Sequence, residues 1–317
     1  MRAPAAVVGA VDIGGTKIAV GLEDESGRLV TRSEVPTRGD GEFGCAMERV
    51  IALLSQATRE TGSPLLGIGI GCTGPVDPFT GALGNVPFFP SWEGCNPVSV
   101  LSNAFGVHVV MENDADAAAL GEARRGTGKG RNRLICVTVG TGIGAGIILD
   151  GRIYRGVDRV HPELGHHTVE TSGPLCSCGA RGCWESLGSG PAISEWFKQN
   201  APDGGTSPDI TAEEVCARAR TGDPWCLRAV DRSARYLGIG LANLISVFAP
   251  DAIVLSGSVM KSADLFLDRI RSTIRENCRL VPFDRTAISL SSLGTDAGLI
   301  GAAEVWRYRC EGGGGQV

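Results

Sequence analysis

Apolar and polar positions along the chain follow two different periods, and the change from one to the other marks out the elements. Val7 to Asp12 is a continuous apolar run closed by an acid, which predicts a buried strand. Gly14-Gly15 turns the chain, and Lys17 to Glu23 predicts a second strand. Glu23-Asp-Glu-Ser-Gly27 is a turn, with a third strand from Arg28 to Val35. From Glu42 to Thr61 the spacing becomes helical, through Met47, Val50, Ile51 and Leu54. Leu66 to Cys72 is a strand that runs into a Gly/Pro-rich loop. Val107 to Met111 is another strand, and Asp114 to Arg125 an Ala-rich helix capped by Asn113.

The second half repeats the opening. Leu134 to Val139 is a strand, Gly140 to Gly144 a glycine loop, Ala145 to Leu149 a strand and Asp150-Gly151 a hairpin turn. A loop over Asn200 to Asp209 precedes a helix with a capping box at Thr211 and Glu214. A long helix opens at Asp223-Pro224. Ala252 to Leu255 is a strand ending at Ser256-Gly257-Ser258. Helix Ala263 to Cys278, strand Ala287 to Leu290 and a last helix from Ala297 follow, with the tail Gly312 to Val317 expected to be disordered. Two strand–glycine turn–strand units, each followed by helices and further strands, predict two related α/β domains around a cleft. The first domain is expected over residues 1–115, with the last helix (297–311) packing back on it. The second is expected over 116–296.

Composition sharpens this picture at three points. The chain has 46 glycines in 317 residues, roughly twice ordinary usage, so backbone geometry is being served. A formal net charge of −5 argues against a nucleic-acid partner. The start carries no signal-peptide pattern, and no apolar run is long enough to span a membrane, so a cytoplasmic protein is expected. Of 11 cysteines, eight are scattered, as in a reducing compartment, and Cys176, Cys178 and Cys183 cluster.

The motifs come next. Gly140-Thr-Gly-Ile-Gly-Ala145 fits a dinucleotide pattern in letters only, because it opens a strand and not a helix; NAD binding is rejected. The Walker A pattern is absent. Each glycine loop alone fits an ordinary hairpin equally well. Asp12 changes that: a carboxylate at a buried strand end, beside Gly14, Gly15 and the Thr16 hydroxyl, suits a hydrated Mg²⁺ and a phosphate. Asn113 caps a helix, and Asp114 at the same strand end is placed to accept a proton from a hydroxyl. His166, Cys176, Cys178 and Cys183 make a closed four-ligand set for a structural zinc within a loop over 166–183. Glu163 and Glu185 flank that loop and offer acceptors to a polyhydroxyl ligand, or else a solvated surface. His161 and His167 read as bystanders, and His108 as structural.

Together these stretches resemble the ROK family of repressors and sugar kinases, within the actin-like (ribonuclease H-like) ATPase superfamily. Asp12-Ile-Gly-Gly-Thr-Lys17 resembles its first phosphate motif and Gly140-Thr-Gly-Ile-Gly144 its second. Gly71-Cys-Thr-Gly-Pro-Val-Asp77 is similar to its segment beside the sugar, and Glu112-Asn-Asp-Ala115 to its catalytic stretch. Glu163-Leu-Gly-His166 with Cys176-Ser-Cys-Gly-Ala-Arg-Gly-Cys183-Trp-Glu185 is the most specific match.

The resemblance implies an ATP-dependent hexokinase acting on the sugar 6-hydroxyl, glucose before N-acetylglucosamine, N-acetylmannosamine or fructose. Asp114 would be the base. Gly74, Asn113, Glu163, His166 and Glu185 would hold the sugar. Asp12, Gly14, Gly15, Thr16, Lys17, Gly140, Thr141, Gly142 and Gly257 would serve ATP and Mg²⁺, although Ser256-Gly257-Ser258 departs from the family's triple glycine. A dimer or tetramer is also implied. The rival class is a sugar-sensing regulator. Such members carry a DNA-binding segment ahead of the kinase-like part, and here Asp12 stands close to the first residue.

Overall fold

The computed structural model describes residues 5–37, 42–202 and 209–312. The predicted loop at 200–209 and the tail therefore fall largely outside the described residues. The chain divides into two compact units: one comprises residues 1–130, 146–161 and 292–317, the other 131–145 and 162–291.

The first unit opens with β1 (Val7–Ile13), β2 (Lys17–Glu23) and β3 (Leu29–Pro36), followed by α1 (Phe43–Thr61) and β4 (Leu65–Cys72). Next come α2 (Pro97–Phe105), β5 (His108–Asn113) and α3 (Asp114–Arg124). The strand order is β3-β2-β1-β4-β5, with β1–β2 and β2–β3 antiparallel and β1–β4 and β4–β5 parallel. Helix α2 is an element of this unit that the periodicity missed. Its signal is present in Asn96-Pro97: the Asn96 side chain accepts from Ser99 and proline stands in the first turn.

Alternation along β1 divides its side chains between two faces. Val7, Val11 and Ile13 join Met47, Val50 and Leu54 of α1 in one core. Val8 and Ala10 face the other way, onto Leu299, Ala302 and Ala303 of α9 (Ala297–Cys310). Asp12 falls on this second face. The same rule puts Gly67, Gly69 and Gly71 of β4 there, and α9 presses closely on the first two. A Cβ on Gly69 would overlap the Ala302 carbonyl, and one on Gly67 would overlap the Trp306 indole. Glycine at 67 and 69 is thus what lets α9 lie against the sheet. Helices α3 and α9 also meet backbone to backbone, with Gly301 Cα 3.0 Å from the position of a Cβ on Gly121.

The second sheet uses the same plan. It contains β6 (Arg133–Val139), β7 (Ile143–Leu149), β8 (Arg152–Ile153), β9 (Ala252–Ser256) and β10 (Ala287–Leu290) in the order β10-β9-β6-β7-β8. Substituting each strand by its counterpart five places earlier reproduces the order of the first sheet, so the repeat expected from sequence is a repeat of topology. Strand β7 starts two residues earlier than expected, at Ile143, so the glycine loop is only Gly140–Gly142. The other helices are α4 (Glu185–Gly188), α5 (Gly190–Asn200), α6 (Ala212–Arg220), α7 (Pro224–Phe248) and α8 (Ala263–Asn277). The capping box at Thr211 and Glu214 forms as predicted. No helix among the described residues is long and apolar enough to cross a membrane.

Candidate active site

In the first unit the carboxyl end of β1 carries Asp12, and the end of β5 carries Asn113 and leads into Asp114. Strand β4 lies between them, with Gly71 paired to both Asp12 and Glu112. Gly71 lacks the side chain that would fill the gap. A Cβ there would stand 3.8 Å from Asp114 Cα and 3.8 Å from Asp12 Oδ1. Two carboxylates therefore share one recess. Burial pushes the Asp12 carboxyl up to about 7, and the Asp114 charge pushes the same way against Lys17. Burial likewise raises Asp114, opposed by a hydrogen bond from the Thr73 hydroxyl and one from the Ala115 N–H at 2.8 Å.

Asn113 does what its sequence position predicts. Its Oδ1 accepts from the N–H groups of Ala115 (2.9 Å) and Asp116 (3.4 Å). Its amide nitrogen lies 2.9 Å from where a Cβ on Gly74 would be, so the Gly74 backbone comes up against it. The Gly14–Lys17 turn is closed by the Gly14 N–H to the Lys17 carbonyl (3.0 Å), and Thr37 ties it down by a hydrogen bond to the Gly14 carbonyl (2.6 Å). Gly15 lies under the Phe88 ring, and the Lys17 ammonium pairs with Glu34 at 2.5 Å.

Beneath this recess lies a charge cluster that sequence reading did not find. Glu112 is fully buried between Arg155 and Arg309 at 2.5 and 2.6 Å. Asp116, also fully buried, meets His161 Nδ1 at 3.0 Å. His161 is thus a partner of a buried acid and not a bystander. Sequence distance hid the cluster: its arginines come from the segment after β8 and from the last helix.

In the second unit the glycine loop, the thiol cluster and the candidate sugar residues lie on adjoining segments. Gly140 is hydrogen-bonded to Gly190 and Gly142 (2.8 and 2.9 Å). Gly165, between Glu163 and His166, packs on the Ile143 carbonyl so closely that a Cβ would overlap it. Glu185 accepts the Ile143 N–H at 2.9 Å. Gly257, at φ 95°, is wedged against the end of β6, where a Cβ would stand 2.7 Å from Val139 N. Ser258 Oγ lies 3.4 Å from the Cβ position of Gly140, so the departure from triple glycine places a hydroxyl on this loop.

The ligand atoms of His166, Cys176, Cys178 and Cys183 lie within 4.8 Å of one another. Cys178 Sγ and Cys183 Sγ are 3.6 Å apart, and Cys176 Sγ and His166 Nδ1 3.5 Å. A tetrahedral zinc with ~2.3 Å bonds to sulfur and ~2.0 Å bonds to nitrogen has edges of about these lengths. The residues fit that ion, and Nδ1 faces the cluster, which leaves Nε2 of His166 for another partner.

The first unit carries Asp12 and Asp114 at its strand ends, the second carries the glycine loop and the four-ligand cluster, and the two sheets share one α/β plan. The chain belongs to the ROK family, whose profile matches residues 8–309. It is 37% identical over 316 residues to the glucokinase of Streptomyces coelicolor, spanning 94% of this chain and 96% of that one. It is 30% identical over 314 residues to the glucokinase of Thermotoga maritima, spanning 95% and 98%. Its fold is similar to the crystal structure of a ROK family glucokinase from Streptomyces griseus in complex with glucose and AMPPNP. There the TM-score is 0.81 and the identity 35%, over 95% of this chain and 99% of the other.

Proposed function

We propose that the protein is an ATP-dependent glucokinase that transfers the γ-phosphoryl group of ATP to the glucose 6-hydroxyl. The observation that carries the reading is the recess shared by Asp12 and Asp114. It supplies a carboxylate base and a second carboxylate of separate role in one enclosed place. The near full-length similarity to glucokinases, one of them bound to glucose and AMPPNP, supports the substrate pair.

Asp114 takes the 6-hydroxyl proton. Its raised pKa makes it a stronger base than a free aspartate, and the Thr73 and Ala115 hydrogen bonds fix its aim. Asn113 and the Gly74 backbone are the sugar ligands that the first unit offers, and Glu163, His166 Nε2 and Glu185 those that the second offers. The intact Glu163-x-x-His166 pair and Glu185 favour an aldohexose over fructose. Gly14, Gly15, Thr16 and Lys17, and Gly140, Thr141, Gly142 and Gly257, receive the nucleotide. Asp12 fits a Mg²⁺ site: burial and the Asp114 charge hold its carboxyl near 7, a strain that a cation relieves. Mg²⁺ there would neutralise charge on the phosphates, and positioning by the loops supplies most of the rest.

The test is a coupled assay with ATP and Mg²⁺ over a panel of hexoses and N-acetylhexosamines. Glucose is expected to give the highest kcat/KM; preference for another sugar would move the specificity, and turnover of none would end the kinase reading.

The Cys/His set holds a structural zinc in this reading. About one zinc per chain is expected by elemental analysis, as for one closed site. The Cys178→Ala variant should lose the metal and bind glucose more weakly, because His166 and Glu185 flank the loop. Unchanged glucose affinity would show that the loop does not shape the site. Eight cysteines are scattered and none of the 11 is in a disulfide, which suits a reducing, cytoplasmic location.

A further inference from the structure

Glu185 opens α4 and its carboxylate lies on the second glycine loop. Oε2 accepts the Ile143 N–H at 2.9 Å. Glu185 Cδ would be 3.3 Å from a Cβ on Gly142, and Oε2 nearer still, so only glycine at 142 admits the carboxylate. The same segment holds the other end of the loop, where the Gly190 N–H donates to the Gly140 carbonyl at 2.8 Å. Residues 140–143 are thus gripped from residues 185–190 at both ends, and the grip at Ile143 is a side chain.

The backbone that carries this side chain is anchored on either side of it. Trp184 is fully buried and donates its indole N–H to the Tyr236 carbonyl at 2.9 Å, and the Ser186 hydroxyl donates to the Cys183 carbonyl at 2.8 Å. Oε1 of Glu185 makes no hydrogen bond among the described residues, so one oxygen is committed to the loop and the other is available.

We propose that Glu185 is a positioning residue for the nucleotide loop as well as a sugar ligand, so that a sugar hydroxyl on Oε1 orders the loop that receives the phosphates. The inference rests on the roles given above to Glu185 and to Gly140–Gly142, and adds a coupling between them. A hydroxyl on Oε1 immobilises a flexible side chain. Oε2 is then fixed, and the Ile143 amide with it. The nucleotide then meets a loop already ordered and loses less freedom on binding. By linkage, nucleotide must tighten sugar binding by the same factor.

The experiment is calorimetric titration with AMPPNP and Mg²⁺, without and with saturating glucose, on the full chain. A second readout, amide exchange of residues 140–146 with glucose and no nucleotide, does not depend on turnover. In the wild type, glucose is expected to tighten AMPPNP at least about 5-fold and to slow exchange of the segment. Gly142→Ala pushes the carboxylate off the loop without changing its chemistry. Its glucose affinity falls with the displaced Glu185 and its AMPPNP affinity with the altered loop, yet at saturating glucose the tightening should stay below about 2-fold, with no added protection. Glu185→Gln, whose amide oxygen can accept the Ile143 N–H, should keep part of the effect, and Glu185→Ala none.

No tightening in the wild type, or full tightening in Gly142→Ala and Glu185→Ala, overturns the coupling. Glucose affinity left at the wild-type value in Glu185→Ala overturns it by another route, by removing Glu185 from the sugar site. The two failures are told apart by which affinity stays unchanged. Melting temperatures establish that each variant is folded, and Glu185→Ala at saturating glucose carries the test if Gly142→Ala is not.

Discussion

Asp114→Asn is expected to lower kcat by about 10³-fold, within the range of a lost general base, while glucose still binds. Asparagine keeps the shape and can still accept from Thr73 and Ala115, so the α3 start need not move. What it removes is the capacity to hold the 6-hydroxyl proton. Sugar binding is spread over Asn113, Glu163, His166 and Glu185 in the proposed site, so affinity should change far less than turnover. The wild-type pH profile is the companion measurement. A base at Asp114 would work as a carboxylate, so activity is expected to fall as pH falls through its pKa. Because burial raises that pKa, the acid limb should lie above the ordinary aspartate range near 4. Asp12 repels Asp114 from the same recess, so the limb belongs to the pair. Wild-type-like turnover in Asp114→Asn would refute the role of base. An acid limb at the ordinary value would mean that the bound substrates discharge the recess.

The second large effect is expected far from any motif, at Gly298→Ala. The first turn of α9 passes over the Asp12 carboxylate, and a Cβ on Gly298 would sit 2.6 Å from Asp12 Cγ, with Oδ2 closer. The helix cannot retreat. Gly301 packs on the Ala117 backbone, and the Ala302 carbonyl is pressed against Gly69. The carboxylate must therefore swing away. A displacement on the order of 1 Å in a phosphate site is worth roughly 10²-fold in rate. The loss should appear in kcat/KM for ATP and in the Mg²⁺ concentration required, with glucose affinity kept. Overpacking costs about 1–3 kcal/mol, so a fall of several degrees in Tm is also expected. Asp12→Asn run alongside separates the causes. If it is inactive and Gly298→Ala is fully active, Asp12 tolerates movement. If Asp12→Asn is itself active, Asp12 has no essential role.

The sequence makes the strands legible where burial is continuous and the polar residue stands at the end. β1, β2 and β10 are found to within a residue of their limits because Asp12, Glu23 and the flanking polar residues punctuate apolar runs. The same reasoning fails where function overrides that punctuation. β5 continues through Glu112 and Asn113, two residues beyond its apolar run, because Glu112 is buried against arginines from elsewhere in the chain. β7 begins inside the glycine loop because Gly144 needs no side chain to pair. The site motifs are legible because their residues are close in sequence: Cys176 to Cys183, or Asn113 with Asp114. Gly298, Gly67 and Gly69 are not, since each is explained by a partner from the opposite end of the chain. Their sole trace in sequence is the period of two in Gly67-Ile-Gly69-Ile-Gly71.

That dependence on the far end of the chain has a consequence in time. During synthesis, β1 to β5 leave the ribosome early, but the face carrying Val8, Ala10 and Ala19 has no cover until Leu299, Ala302 and Ala303 of α9 follow. The second unit ends at residue 291, so every residue it needs is available before α9 exists. The usual order, in which the N-terminal domain is completed first, is reversed. The nascent first sheet must wait with one apolar face open, and α9 is its closing piece.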